Sequence, residues 1–219
     1  DAKATDALKL TVTGKATAAD LKALDAKTSE IITATGITLI TGNAADVKTV
    51  LKAEGITLDK VTGGAVAVEV TGTVSAADAN TIAKATDGKV TATVAAGTAA
   101  SLKAALTDVT ATDALKLKVT GTATVADLLA LEGKTSLLVD ATKVTAITGT
   151  AAEFATLNAL ADPSVDLSST VAVTVTGAIG ATALTTIAND TFGKVTATVT
   201  DTAANLAANL ATASTDAIT

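Results

Sequence analysis

The chain has 219 residues, 48% of them apolar, which is enough to bury a sizeable core. It has no His, Cys, Met, Trp, Tyr or Arg, which excludes Ser–His–Asp and Cys–His catalysis, disulfides and transition-metal sites built on imidazole or thiolate. Residues 1–107 carry 11 Lys and 11 acids, and residues 108–219 carry 5 Lys and 11 acids, so the second half holds the whole net charge of −6; an acidic chain without arginine is a poor phosphate binder, and no nucleic-acid partner is expected.

The elements follow one another in a regular alternation. Strands are predicted at residues 8–13, 37–41, 66–71, 89–94, 115–120, 144–148, 171–176 and 194–199, from β-branched residues that mostly alternate with a second set. In the first strand Leu8, Leu10 and Val12 point one way and Lys9, Thr11 and Thr13 the other. In the seventh, Val171, Val173 and Val175 oppose Ala172, Thr174 and Thr176. Most of these strands end in Thr-Gly, read as the turn into a helix. Shorter apolar runs at 31–33 and 137–139 are candidates for a second strand.

A helix start follows each strand, at Thr17, Asn43, Ser75, Thr98, Thr124, Thr150, Gly180 and Thr202. Seven of these eight first positions are Ser, Thr or Asn, whose side chains accept from the free N–H groups of a first turn. Five of the eight fourth positions are acids, as a capping box or the helix dipole favours: Asp20, Asp46, Asp78, Asp127 and Glu153. Each following segment has one apolar stripe about three turns long, such as Leu21 with Leu24 or Leu128 with Leu131, too short to be stable without a sheet beneath it.

The series occurs twice. Residues 5–29 and 112–136 share 19 of 25 positions, and Gly-Lys-Val-Thr-Ala-Thr-Val stands unchanged at 88–94 and 193–199. The chain therefore divides into copy one, residues 1–107, and copy two, residues 108–219, each of four strand–helix units. The expected fold is α/β: a tandem-repeat strand–helix solenoid with a parallel sheet, helices on one side and a Thr-rich open face. A doubly wound compact domain is the alternative, disfavoured by strands with one polar face.

Conspicuous side chains have plain readings. The helix-start acids are caps, and no catalytic residue, cofactor-binding residue or metal ligand is assigned. Calcium in a loop near Asp59, Asp140 or Asp166 is the one cofactor left open by the donor inventory. Gly63-Gly64 reads as a turn, and Asn189-Asp190-Thr191 fits a short glycosylation sequon. Thr11, Thr13, Thr91, Thr93, Thr174, Thr176, Thr196 and Thr198 are expected on the open face, where Thr-x-Thr rows could meet ice or a glycan. Lys9, Glu69, Lys89, Lys116, Lys118 and Lys194 share that face and would roughen it, so β-propensity with solubility is the preferred reading.

The Val-Thr-Gly strands, the Ala-Ala-Asp-Leu helix starts and the run 201–210 resemble the Ala/Thr/Val-rich tandem repeats of giant secreted surface proteins of cyanobacteria and other bacteria. The resemblance implies an extracellular, cell-surface protein that is not an enzyme. It would act as a structural or adhesive spacer or coat element, whose partners are neighbouring repeats, identical chains end to end, or cell-surface and glycan ligands. A ligand-binding module for ice or glycan is the alternative. No apolar run reaches the ~20 residues of a membrane span, so none is expected. Residues 1–4 are too few to cap a first coil and residues 211–219 read as a polar tail, from which the expectation is that the chain continues or that identical chains stack.

Overall fold

The computed structural model describes residues 1–60, 64–160, 164–191 and 193–219. The first nine elements are β1 (Thr11–Thr17), α1 (Ala18–Asp25), β2 (Ile32–Gly42), α2 (Ala44–Lys52), β3 (Ile56–Leu58), β4 (Ala67–Val74), α3 (Ala76–Ala83), β5 (Val90–Val94) and α4 (Ala99–Ala105). The same order follows in β6 (Ala114–Thr124), α5 (Val125–Glu132), β7 (Val139–Thr150), α6 (Ala151–Asn158), β8 (Val165–Leu167), β9 (Ala172–Ile179), α7 (Ala181–Asn189), β10 (Val195–Val199) and α8 (Ala203–Asn209). A two-residue β11 (Ala217–Ile218) comes last.

The chain is α/β, with 11 parallel strands in one sheet and 8 helices among the described residues. The sheet order is β1-β2-β4-β5-β6-β7-β9-β10-β11, which is chain order apart from two short strands set off the path. β3 pairs with residues 32–34 of β2 while β4 pairs with residues 39–42, so the two halves of one long strand have different neighbours on the same side. β8 and β9 repeat this fork on β7.

Contacts divide the chain into two compact units, each threaded by more than one segment. The first takes Asp1–Ala95, Ala105–Lys116 and Lys134–Ser136; the second takes Ala96–Ala104, Leu117–Gly133 and Leu137–Thr219. In the first, Ile32, Ala34, Ile37 and Ile40 of β2 are buried with Val68, Val90 and Ala92 of later strands and Leu21, Val47, Val50, Leu51 and Ile82 of the helices. In the second, Val139, Ala141, Val144 and Ile147 of β7 are buried with Val173, Val175, Val195 and Ala197, and with Leu128, Leu131, Phe154, Leu184 and Ile187. Each Val, Leu, Ile or Phe buried in this way contributes about 1.5–3 kcal/mol, which is what holds helices this short in place.

The structure changes several sequence expectations. The helices run 7–9 residues, nearer two turns than three, because the chain leaves each one as soon as its apolar stripe is spent. Thr-Gly is not the turn into a helix in four strands. Gly14, Gly72, Gly121 and Gly177 have φ between 77° and 82°, and the strand continues beyond each of them. Register shifts fall at or across all four glycines, so they form bulges. The runs at 31–33 and 137–139 are not extra strands; Ile32 and Val139 open the long strands β2 and β7, and the added strands are β3 and β8. Residues 211–219 are more than a polar tail, since they carry β11. Of the expected Gly63-Gly64 turn, Gly64 lies in a turn and Gly63 lies outside the described residues.

The chain returns from α1, α3, α5 and α7 to the sheet through a threonine. Thr28 Oγ1 accepts from Leu8 N at 3.1 Å and donates to Leu8 O at 2.7 Å, and Thr135 does the same to Leu115 at 3.0 and 2.8 Å. Thr86 donates to Val66 O and accepts from Gly88 N; Thr191 donates to Val171 O and accepts from Gly193 N. These hydroxyls satisfy backbone groups at strand starts that have no ladder partner.

Candidate functional site

Seven of the eight predicted helix starts are closed by the predicted residue. Thr17, Asn43, Ser75, Thr98, Thr124, Thr150 and Thr202 each accept from the backbone N–H three residues on, at 2.9–3.3 Å. Glu153 completes a reciprocal capping box by accepting from Thr150 N at 2.7 Å. Gly180 has no side chain to offer, and Asp201 Oδ2 accepts from Ala181 N at 3.1 Å instead.

Three of the cap acids also reach across to the preceding helix. Lys22 of α1 pairs with Asp46, Lys48 of α2 with Asp78, and Lys103 of α4 with Asp127 at 2.6 Å. Each lysine lowers its partner's pKa by hydrogen bonding, helped by Asn43, Ser75 and Thr124 respectively and opposed by desolvation. Leu129 and Ala155 stand in copy two where copy one has Lys22 and Lys48, which is part of why the net charge falls on the second half. Because these carboxylates are depressed below their unfolded value of 3.8, the stability they contribute is complete above that value and is lost as pH falls through the lower folded values. Urea midpoints are therefore expected to hold between about pH 7 and 5 and to drop below about pH 4, with Lys103→Ala flattening that acid limb. An acid limb unchanged by Lys103→Ala would count against the Lys103–Asp127 pair.

The calcium candidates are only partly brought together. Asp140 and Asp166 are register partners on β7 and β8. Asp140 accepts from Thr142 Oγ1 at 2.6 Å and Thr142 N at 3.1 Å, with Lys118 Nζ 3.6 Å from its other oxygen, and these contacts lower its pKa, Thr142 most. Asp59 lies in the other compact unit. Among the described residues no three acids gather as a metal would need. Thr191 of the sequon has its hydroxyl committed to the loop described above, and Asn189 ends α7.

The threonine expectation lands on exposed or half-exposed strand positions. Thr11, Thr13, Thr93, Thr174, Thr176 and Thr198 are exposed, and Thr91 and Thr196 are half-buried, while Val173, Val175, Val195 and Ala197 between them are buried. Register aligns Thr124, Thr148, Thr174 and Thr196 across four consecutive strands of the path, β6-β7-β9-β10. The corresponding row in the first unit is Thr17, Thr41, Glu69 and Thr91, so a carboxylate interrupts it. Lys9, Lys89, Lys116, Lys118 and Lys194 are exposed as expected, and Lys116 stands in register beside Thr93.

The sequence reading missed the buried aspartate. Asp113 is 4% exposed, and it accepts from Val90 N at 2.8 Å and Thr110 N at 2.9 Å. The second unit also holds a cavity of about 280 Å³ lined by Phe154, Val165, Leu167 and Ile187, with Asn158 and Asp190 hydrogen-bonded to each other in its wall. Asn158 stands where copy one has the buried Leu51. Among the described residues no helix is long and apolar enough to cross a membrane. Compared with known protein families, curated proteins and solved structures, the chain matches none.

Proposed function

We propose that this chain is a structural or adhesive repeat segment of a large extracellular bacterial surface protein, serving as a spacer or coat element. The observation that supports this most is the sheet order: along its main path every strand pairs with its neighbours in the chain, through the same series of elements twice over. A protein built this way grows by adding units, and each unit adds a nearest-neighbour interface. The finer architecture belongs to the same reading: a solenoid with helices on one side and the threonine face open on the other. Exposed threonines alternating with buried valines agree with it. The helix-start acids act as caps and cross-helix partners, which leaves them no catalytic task.

Chains of one, two and three copies test the reading by chemical denaturation. The midpoint is expected to rise with copy number. Equal midpoints, with a fully stable single copy, would make the 107-residue unit self-sufficient and remove the spacer argument.

A second reading has its own observation, the in-register row Thr124, Thr148, Thr174 and Thr196. The Thr124 hydroxyl caps α5, and the other three, at a strand spacing of about 4.8 Å, could meet ice or a glycan. Thermal hysteresis or glycan-array binding, lost in Thr174→Lys, would favour it over the spacer.

A further inference from the structure

Copy two differs from copy one at two positions that line one cavity. Asn158 stands eight residues past the helix start Thr150, where copy one has Leu51 eight past Asn43. Asp190 stands ten past Gly180, where copy one has Ala85 ten past Ser75. Both line the cavity of about 280 Å³ in the second unit, and Asn158 Nδ2 donates to Asp190 Oδ2. A single apolar residue lost to a polar one would be a packing defect. Here two positions 32 residues apart change together and bond to each other. The surroundings open with them. In copy one Val50, Leu51, Ile56 and Leu58 are 0–7% exposed, whereas their counterparts Leu157, Asn158, Val165 and Leu167 are half-buried or exposed.

The loop after the short strand changes too. Copy one has seven residues between Leu58 and Val66, and copy two has three between Leu167 and Val171. Lys60 in the longer loop donates from Nζ to Leu51 O at 2.6 Å, at the end of α2. Ser169, two residues past β8 as Lys60 is past β3, is too short to reach as far. The back of the cavity stays apolar: Phe154 and Ile187 are 3% and 6% exposed, and Phe154 puts a ring where copy one has Val47. The cavity therefore has an apolar floor and a polar mouth. Among the described residues, Asp190 Oδ1 and Asn158 Oδ1 accept no hydrogen bond, and no lysine pairs with Asp190. Both oxygens are acceptors and one belongs to a carboxylate, so the mouth favours a cationic donor and disfavours an anion.

We propose that this cavity binds a small molecule with an apolar body, a ring or a short chain, and a protonated amine at one end. The body lies against Phe154 and Ile187, and the ammonium donates to Asp190 and Asn158. Size agrees with this class: an apolar cavity of about 150 Å³ holds benzene, so about 280 Å³ admits a ring with a short substituent. The site belongs to copy two, and it stands whether or not the chain serves as a spacer.

Benzylamine, benzyl alcohol and benzoate carry one ring with three different ends. Each is titrated into the full chain while the NMR signals of Leu157, Val165 and Ile187 are followed. Benzylamine is expected to shift these signals saturably, with a dissociation constant of about 1 mM or below. Benzoate is expected to bind at least about tenfold more weakly, with benzyl alcohol between the two. Asp190→Asn is expected to weaken benzylamine at least about tenfold and to leave benzyl alcohol within about threefold. Asn158→Leu with Asp190→Ala, which copies the pair of copy one, is expected to abolish binding of all three. No saturable shift by benzylamine up to about 10 mM would overturn the proposal. Benzoate binding as tightly as benzylamine, a benzylamine affinity indifferent to Asp190→Asn, or a folded double variant that still binds would each overturn it as well. If the double variant does not fold, the benzoate and Asp190→Asn comparisons decide.

Discussion

Gly193→Ala is expected to lower stability by at least about 3 kcal/mol, and Gly88→Ala by nearly as much. A Cβ on Gly193 would stand 2.1 Å from Val171 O, 2.5 Å from its carbonyl carbon and 2.6 Å from Thr170 O. On Gly88 it would stand 2.2 Å from Val66 O and 2.5 Å from its carbonyl carbon. These are backbone atoms at the start of a strand, and they cannot swing aside as a side chain would. The glycine cannot retreat either, because Thr191 and Thr86 hold Gly193 N and Gly88 N at 2.9 and 3.0 Å. The control is Gly14→Ala. Its Cβ meets nothing within 4 Å, so only the strain of a φ of 82° remains, about 1–2 kcal/mol. Thermal and urea denaturation of the three variants ranks them; Gly193→Ala no worse than Gly14→Ala would show that the loop gives way.

Leu128→Ala is expected to cost about 2–5 kcal/mol. Leu128 is fully buried on α5 with Val125 and Leu131, in a core with almost no aromatic bulk to collapse into the space. Leu206→Ala is the contrast, because α8 has no buried residue, and it should cost less than about 1 kcal/mol. Equal losses from the two by urea titration would mean that the burial of α5 is not what stabilises the second unit.

Much of this architecture was legible because the sequence states it repeatedly. Thr17, Asn43, Ser75, Thr98, Thr124, Thr150 and Thr202 announce helix starts by a side chain acting three residues away, a distance visible in sequence. Alternation in 171–176 showed which side of β9 would be buried, as Val173 and Val175 bear out. What escaped depends on distance or on ambiguity. Three residues, Ile56-Thr57-Leu58, are too few to show a period, so no strand is predicted at β3. A positive-φ glycine suits a bulge as well as a turn, and Gly14 and Gly72 took the bulge. The Lys22–Asp46 and Lys48–Asp78 pairs join residues 24 and 30 apart, which only the packing of successive helices brings together. Nothing in the sequence singled out Asp113, since its partner Val90 N lies 23 residues back.

The chain-order path of the sheet also bears on how such a gene changes. In a fold whose sheet neighbours are distant in sequence, losing an internal block strands the partners it leaves behind. Here β5 and β10 carry the same heptapeptide and meet the same Thr-Asp-Ala motif, at Asp113 and at Asp216. An unequal crossover between equivalent points of the two copies would delete or duplicate about one copy and still give every remaining strand of the path a neighbour of the kind it had before. A whole copy can then be added or removed on paper with the rules of pairing left unchanged.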